Sequence, residues 1–278
     1  MSEIPHINLE TGGEIPIIGF GTWNLGGAIK SSVRKALETG YRHIDTAEGY
    51  RNESAIGEVI QDYERGELFL TSKVVPSNLN YDNVLEACDQ SLERLGTSYL
   101  DLYLIHWRNP AISLRETLHA FKKLYDTGKV RNIGVSNFSL YQLKVANKIS
   151  EVPIAVDQIE FHPWYHDEDL LTFCRNNNIY LTASAPLARQ AILKDSLINE
   201  LADKYEKSPA QIVLRWQVQR NVITIPKSSS EEHINQNFSI FDFELDQSEM
   251  EDLKHIPKVE KSEGYSLDLD DSIYGIPS

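Results

Sequence analysis

The sequence predicts a (β/α)8 barrel, a TIM barrel, preceded by an N-terminal β-hairpin. Three observations carry the prediction. The chain has 278 residues, and such a barrel typically needs about 250. Eight short apolar runs alternate with amphipathic helical segments, the pattern of a parallel sheet covered by helices. Polar or ionisable residues close most of these runs at their C-terminal ends, where this barrel gathers its chemistry. One domain is expected across 1–278, with the hairpin at 5–17 and a tail at 256–278.

The elements follow in order. HINLE, the turn TGGE and IPIIGF open the chain as a hairpin, and IIGF within the last run is the first barrel strand. YRHID, LFLTSKV, YLDLYLIHW, VRNIGVS, IAVDQIE, IYLTASA and VITIP supply the other seven, each rich in β-branched or aromatic residues. Helical spacing appears over 28–39 (Val33, Leu37), over 82–95 (Val84, Cys88, Leu92, Leu95) and over 114–127 (Leu114, Leu118, Phe121, Leu124). Ser208-Pro209 ahead of AQIVLRWQVQ places an N-cap before a proline at the first helical position. No repeat or Pro/Gly-rich linker divides the chain.

Composition narrows the function. Lys and Arg number 27 against 41 Asp and Glu, a net charge of −14. That field repels nucleic acid and anionic lipid, so neither is an expected partner, and any phosphorylated ligand needs a local pocket of positive charge. No apolar stretch approaches the roughly 20 residues that span a bilayer. The opening MSEIPHINLE carries no basic run followed by an apolar one, and Cys88 and Cys174 make no disulfide framework. The expectation is a monomeric cytoplasmic protein with reduced thiols and no metal. His162 and His166 stand four apart, but Pro163 between them argues against a metal-binding helix.

The polar residues at the strand ends form a chemical set. Asp45 closes the second strand and Tyr50 follows it, Lys73 ends the third, and His106-Trp107 the fourth. Ser136-Asn137 end the fifth, Gln158 the sixth and Lys227-Ser228 the eighth. A tyrosine hydroxyl is a weak acid, and a nearby ammonium lowers its pKa. Lys73 can supply that ammonium, Asp45 can hold Lys73 in place, and His106 can donate to a substrate oxygen. The set suits proton delivery to a carbonyl oxygen. With no obvious Ser or Cys nucleophile, it implies a hydride source, a nicotinamide cofactor.

The residues GFGTW (19–23), HIDTAEGY (43–50) with Asn52-Glu53, LTSK (70–73), LIHW (104–107), IGVSNF (133–138), Gln158-Ile159-Glu160 and IPKS (225–228) occur in the order found in aldo-keto reductases. The sequence resembles that family from about residue 5 to 255. The resemblance implies Asp45, Tyr50, Lys73 and His106 as a catalytic tetrad with Tyr50 as general acid. It implies Ser136, Asn137 and Gln158 at the nicotinamide carboxamide, and Lys227 and Ser228 at the adenosine 2′-phosphate. Thr22, Trp23, Asp45, Ser184, Leu187, His233, Gln236 and Asn237 complete the implied cofactor contacts. Trp23, Tyr50, His106 and Trp107 are the implied substrate contacts. The expected activity is reduction of aldehydes and ketones with NADPH, with NADH also possible.

Some positions depart from the family pattern. His233 and Gln236 stand where Arg and Glu are usual, Ser184 where Tyr is usual, and Asp157 where Asn is usual. His233 lacks arginine's permanently charged fork, so a smaller NADPH preference is expected. Ser184 offers no aromatic face to a nicotinamide. Gly19-Phe20-Gly21 after a strand, with Asp45 closing the next strand, imitates a dinucleotide fingerprint, but Asn24 occupies the third glycine position and Trp23 crowds the turn. The alternative function is a non-catalytic, cofactor-binding regulatory or sensor barrel.

Overall fold

The computed structural model describes residues 4–257. The tail expected at 256–278, with its acidic Asp268, Asp270 and Asp271, lies almost wholly outside them. Two short strands, β1 (His6–Asn8) and β2 (Glu14–Pro16), form the antiparallel hairpin. Eight parallel strands follow: β3 (Gly19–Gly21), β4 (His43–Asp45), β5 (Phe69–Val74), β6 (Leu100–Ile105), β7 (Val130–Ser136), β8 (Ile154–Glu160), β9 (Tyr180–Ser184) and β10 (Ile223–Thr224). Each pairs with its neighbour in sequence order. Ile18 bridges to Thr224, and Gly21 N–H donates to Pro226 O at 3.0 Å, so the first strand meets the last and the sheet curls into a barrel. All eight expected strands are present, and β7 and β8 match their sequence runs end to end.

Among the described residues ten α-helices accompany the strands: α1 (Ile29–Thr39), α2 (Glu53–Ile60), α3 (Tyr81–Leu95), α4 (Leu114–Asp126), α5 (Leu140–Ile149), α6 (Glu168–Asn176), α7 (Ser196–Tyr205), α8 (Pro209–Gln219), α9 (Glu231–Phe238) and α10 (Gln247–Lys254). Their ends follow from local chemistry. Asn80 caps α3 by accepting from Asn83 N–H, and Gly96 ends it in the left-handed region at φ 64°. Ser208 and Gln211 form a reciprocal capping box with Pro209 at the first turn of α8. Apolar helix faces pack against the outside of the barrel, as Phe121 of α4 does by stacking on Tyr103 of β6 at 5.2 Å.

The two ends of the barrel differ. The hairpin lies across the N-terminal end: Ile15 is fully buried, Thr11 bonds to Asn132 of β7, and Ile17 N–H donates to Pro5 O. That end is covered, so the C-terminal mouth is left for chemistry.

The glycines of GFG have a packing role. A Cβ on Gly19 would come within 2.5 Å of the His43 ring, and one on Gly21 within 2.6 Å of Ile225 O. Gly21 is needed where β3 approaches the chain beyond β10. Closure of the barrel, and not a dinucleotide turn, explains the motif.

Candidate active site

Asp45, Lys73 and Gln158 reach the mouth because strand residues alternate in and out, and these point inward from β4, β5 and β8. Lys73 Nζ lies 2.6 Å from Asp45 Oδ1, 2.9 Å from Thr46 O and 3.4 Å from Tyr50 Oη. The Lys73 side chain is fully buried and that of Asp45 is 2% exposed. Gln158 Nε2 donates to Asp45 Oδ2 at 2.7 Å, so both carboxylate oxygens are held. Buried charges persist when paired and hydrogen-bonded in this way.

Tyr50 comes from a 3-10 turn over Glu48–Tyr50. The turn is pinned by Glu48, whose carboxylate accepts from Val75 N–H at 3.0 Å and Asn78 Nδ2 at 2.7 Å. The phenol ring then meets His106 edge-on, with centroids 5.5 Å apart. His106 follows β6 directly, and its backbone O accepts from Asn137 Nδ2 at 3.1 Å. The structure thus gathers all four residues expected at the catalytic centre.

The electrostatics correct one expectation. The net shift of the Tyr50 hydroxyl is upward and not downward: it is raised above its ordinary range, by burial first and by the Asp45 charge second. Asp45, 2.6 Å from Lys73 Nζ, offsets part of the pull that the ammonium exerts on the phenol at 3.4 Å. Tyr50 therefore rests as a neutral phenol holding its proton. His106 is pulled down to about 3, by burial and then by Lys73, and is neutral at ordinary pH. A neutral imidazole keeps one N–H to donate.

A cavity of about 400 Å3 opens beside this cluster. Asp45 and Tyr50 line its inner end, Ser184 lines it at the end of β9, and Trp23, Leu187 and Lys227 are among the other lining residues. Thr22 and Gln158 also line it. Thr22 Oγ1 donates to Asp45 O at 2.8 Å. Ser184 Oγ, at the end of β9, is buried without a hydrogen-bond partner. Phe161 and Trp216, aromatics near the barrel mouth in sequence, stack on each other at 5.6 Å in the core and do not line the cavity.

Other expected residues stand apart from the cavity. Ser136 Oγ donates to Gln158 O at 2.8 Å, and Asn137 Nδ2 to Ser136 Oγ at 3.0 Å, beside the cluster at the end of β7. Ser228 Oγ accepts from Ser230 N–H at 3.0 Å. His233 is exposed on α9, Gln236 bonds to Glu232, and Asn237 is buried. Trp107 is half-buried and lies outside the lining. Asp157 alternates with Gln158 and so faces the helix layer. Burial there holds its carboxyl well above the usual range, and its position away from the barrel interior means that this departure does not bear on the mouth. Sequence reasoning missed Arg189 and Gln190, which also line the cavity, and Thr46, whose carbonyl helps seat Lys73.

Neither histidine near Pro163 belongs to a metal cluster among the described residues. His162 Nε2 lies 3.0 Å from Glu160, and His162 pairs with Tyr165 in an isolated β-bridge. No helix among the described residues is long and apolar enough to cross a membrane.

Comparison with known proteins identifies the family. The model of the aldo/keto reductase family matches residues 17–258. The chain is 41% identical over 259 residues to glyoxal reductase of Bacillus subtilis strain 168, an alignment covering 92% of this chain and 94% of that protein. A crystal structure of an aldo/keto reductase from Brucella melitensis is 40% identical, with a TM-score of 0.86 over 91% of this chain and 99% of that one. A Bombyx mori aldo-keto reductase solved in complex with NADP is 32% identical, with a TM-score of 0.86 over 91% of this chain and 93% of that one. The chain belongs to the aldo/keto reductase family.

Proposed function

We propose that the protein reduces aldehydes and ketones to alcohols, using NADPH in preference to NADH. The observation that carries this reading is the seating of Lys73 Nζ between Asp45 Oδ1 and Tyr50 Oη, 2.6 and 3.4 Å away, at the inner end of an open cavity. The residues present fit a nicotinamide dinucleotide. The unpartnered Ser184 Oγ lines the cavity with Gln158 and Lys227. Asp45, Gln158 and Ser184 would hold the nicotinamide end, with Ser136 and Asn137 beside it, and Lys227 would hold the adenosine phosphate.

When bound, the reduced nicotinamide supplies a hydride to the carbonyl carbon. The rest of the chemistry belongs to this chain. Tyr50 keeps its proton until negative charge develops on the carbonyl oxygen, and then delivers it. The resulting phenolate is stabilised by the Lys73 ammonium 3.4 Å away. Asp45 holds that ammonium in register, and neutral His106 orients the carbonyl oxygen by donating its N–H. Trp23 supplies an apolar wall, and one methylene against such a wall discriminates by only about 1–3 kcal/mol. Modest selectivity among small and aromatic aldehydes is the expected result.

The test is a panel of aldehydes and ketones, glyoxal among them, with NADPH and NADH in parallel, followed by loss of the reduced nicotinamide absorbance. Oxidation of NADPH by several aldehydes, faster than that of NADH, is expected. Cofactor binding without oxidation by any substrate would replace this reading with a sensor barrel.

A further inference from the structure

Tyr50, Lys73 and His106 belong to three neighbouring strands, β4, β5 and β6, and to the segments that leave them. The segment leaving the middle strand ties the other two together. It runs from Val75 through a 3-10 turn over Pro76–Asn78. The Tyr50 turn grips it with a carboxylate: Glu48 Oε2 accepts from Val75 N–H at 3.0 Å, and Glu48 Oε1 from Asn78 Nδ2 at 2.7 Å. The approach is close, since a Cβ on Gly49 would come within 3.1 Å of Val75 Cγ1. The segment leaving β6 grips it with an amide: Asn109 Nδ2 donates to Pro76 O at 2.9 Å. Asn109 is itself fixed, because its Oδ1 accepts from Ala111 N–H at 3.0 Å and its backbone O from Ile112 N–H at 3.1 Å.

These ties matter because the Tyr50 turn is otherwise self-contained. Tyr50 N–H donates to Ala47 O and Arg51 N–H to Glu48 O, bonds that shape the turn without seating it on β5. Arg51 then takes left-handed backbone at φ 55°, a conformation that persists only where its surroundings hold it. Asn52 Nδ2 donates to Thr22 O at 2.9 Å and anchors that end of the turn to the exit of β3. Glu48 anchors the other end to the exit of β5, two residues beyond Lys73. The 3.4 Å from Lys73 Nζ to Tyr50 Oη is already long for such a bond, so a small lift of the turn would remove it.

We propose that Glu48 and Asn109 form a latch on segment 75–78 that sets the spacing of Tyr50, Lys73 and His106, and that both are positioning residues for proton delivery. This rests on the reductase reading above. Neither residue lines the cavity beside Asp45 and Tyr50; Glu48 acts through Tyr50, and Asn109 through His106. A carboxylate suits the first position because both groups it meets are donors and it is purely an acceptor. His106 has two further ties, its own N–H to Val74 O at 3.1 Å and its O to Asn137 Nδ2 at 3.1 Å. Loss of Glu48 is therefore the more damaging of the two.

Aldehyde reduction in H2O and D2O, NADPH titration and melting curves on the same preparations test this in wild type, Glu48→Ala, Glu48→Gln, Asn109→Ala and the double alanine variant. Glu48→Ala should lower kcat about 10- to 100-fold, leave NADPH affinity nearly unchanged, and enlarge the solvent isotope effect because proton delivery has slowed. Glu48→Gln keeps an acceptor for Val75 N–H and should recover most of the rate. Asn109→Ala should lower kcat severalfold, and the double variant should lose less than the product of the two single losses, since both side chains act on one segment. Wild-type kcat in Glu48→Ala or Asn109→Ala, an unchanged isotope effect, or strictly multiplicative losses would overturn the latch. So would Glu48→Gln as slow as Glu48→Ala, which would assign the effect to charge; that comparison with wild type and Asn109→Ala still decides if Glu48→Ala does not fold. Wild-type protein that oxidises no NADPH with any aldehyde would instead overturn the reductase reading beneath it.

Discussion

Replacing Lys73 by methionine removes one charge from a buried ion pair. The Lys73 side chain is fully buried and Asp45 is 2% exposed, with Nζ and Oδ1 2.6 Å apart. In Lys73→Met the Asp45 carboxylate keeps the Gln158 Nε2 bond at 2.7 Å and loses its counter-ion. Stranding one member of a buried pair costs about 3–5 kcal/mol. At roughly 2–4 °C per kcal/mol for a chain of this size, the melting temperature should fall by on the order of 10 °C. Asp45→Asn/Lys73→Met leaves no charge behind and should regain most of that stability, while reductase activity stays lost. Melting curves on the wild type, both single variants and the double variant give the coupling energy directly. A Lys73→Met protein that melts with wild type would refute the reasoning. So would a double variant as unstable as the two single losses added.

Other consequences can be measured separately. Gly21→Ala sets a Cβ 2.6 Å from Ile225 O at the barrel closure; urea unfolding should show a loss of about 1–3 kcal/mol, and wild-type stability would contradict the packing account. His43 is pulled down to about 4, chiefly by burial. Between about pH 4 and the ordinary histidine pKa near 6.5, the unfolded chain then binds more protons than the folded one, so acidification removes up to roughly 3 kcal/mol of stability. His106, pulled to about 3, acts in the same sense. Urea midpoints at pH 7 and pH 4.5 should therefore differ less in His43→Asn than in wild type; equal differences would remove His43 from the account. Ser184→Tyr adds an aromatic face at the orphaned Ser184 Oγ and should tighten NADPH about 2- to 10-fold, read by calorimetry. Unchanged affinity in a folded variant would show that another group already covers the ring.

The barrel and the arrival of Asp45, Lys73 and Gln158 at one mouth were legible because both rest on periodic features. Strands that alternate in and out place Asp45, Lys73 and Gln158 toward one mouth, and β7 and β8 follow their apolar runs throughout. The direction of the Tyr50 shift was not legible. Sequence places Lys73 near Tyr50 but does not say that Asp45 is nearer to Lys73 than the phenol is, nor how deeply the hydroxyl is buried. Arg189 escaped for a different reason. Its position depends on successive left-handed residues, including alanines at 185 and 188, and no composition or spacing marks alanine for that backbone. Pro186-Leu187 signals a turn but not its path. The glycines of GFG had been legible as a motif, and only the distances to His43 and Ile225 gave their reason.

The central claim is that Tyr50 delivers the proton, and Tyr50→Phe tests it most directly. The variant removes one hydroxyl and keeps the ring that meets His106 at 5.5 Å. Steady-state aldehyde reduction and NADPH titration should be measured on the same folded preparation. The account predicts that kcat falls by about 10²–10⁴-fold while NADPH affinity is nearly unchanged. Reduction at the wild-type rate by Tyr50→Phe would contradict it.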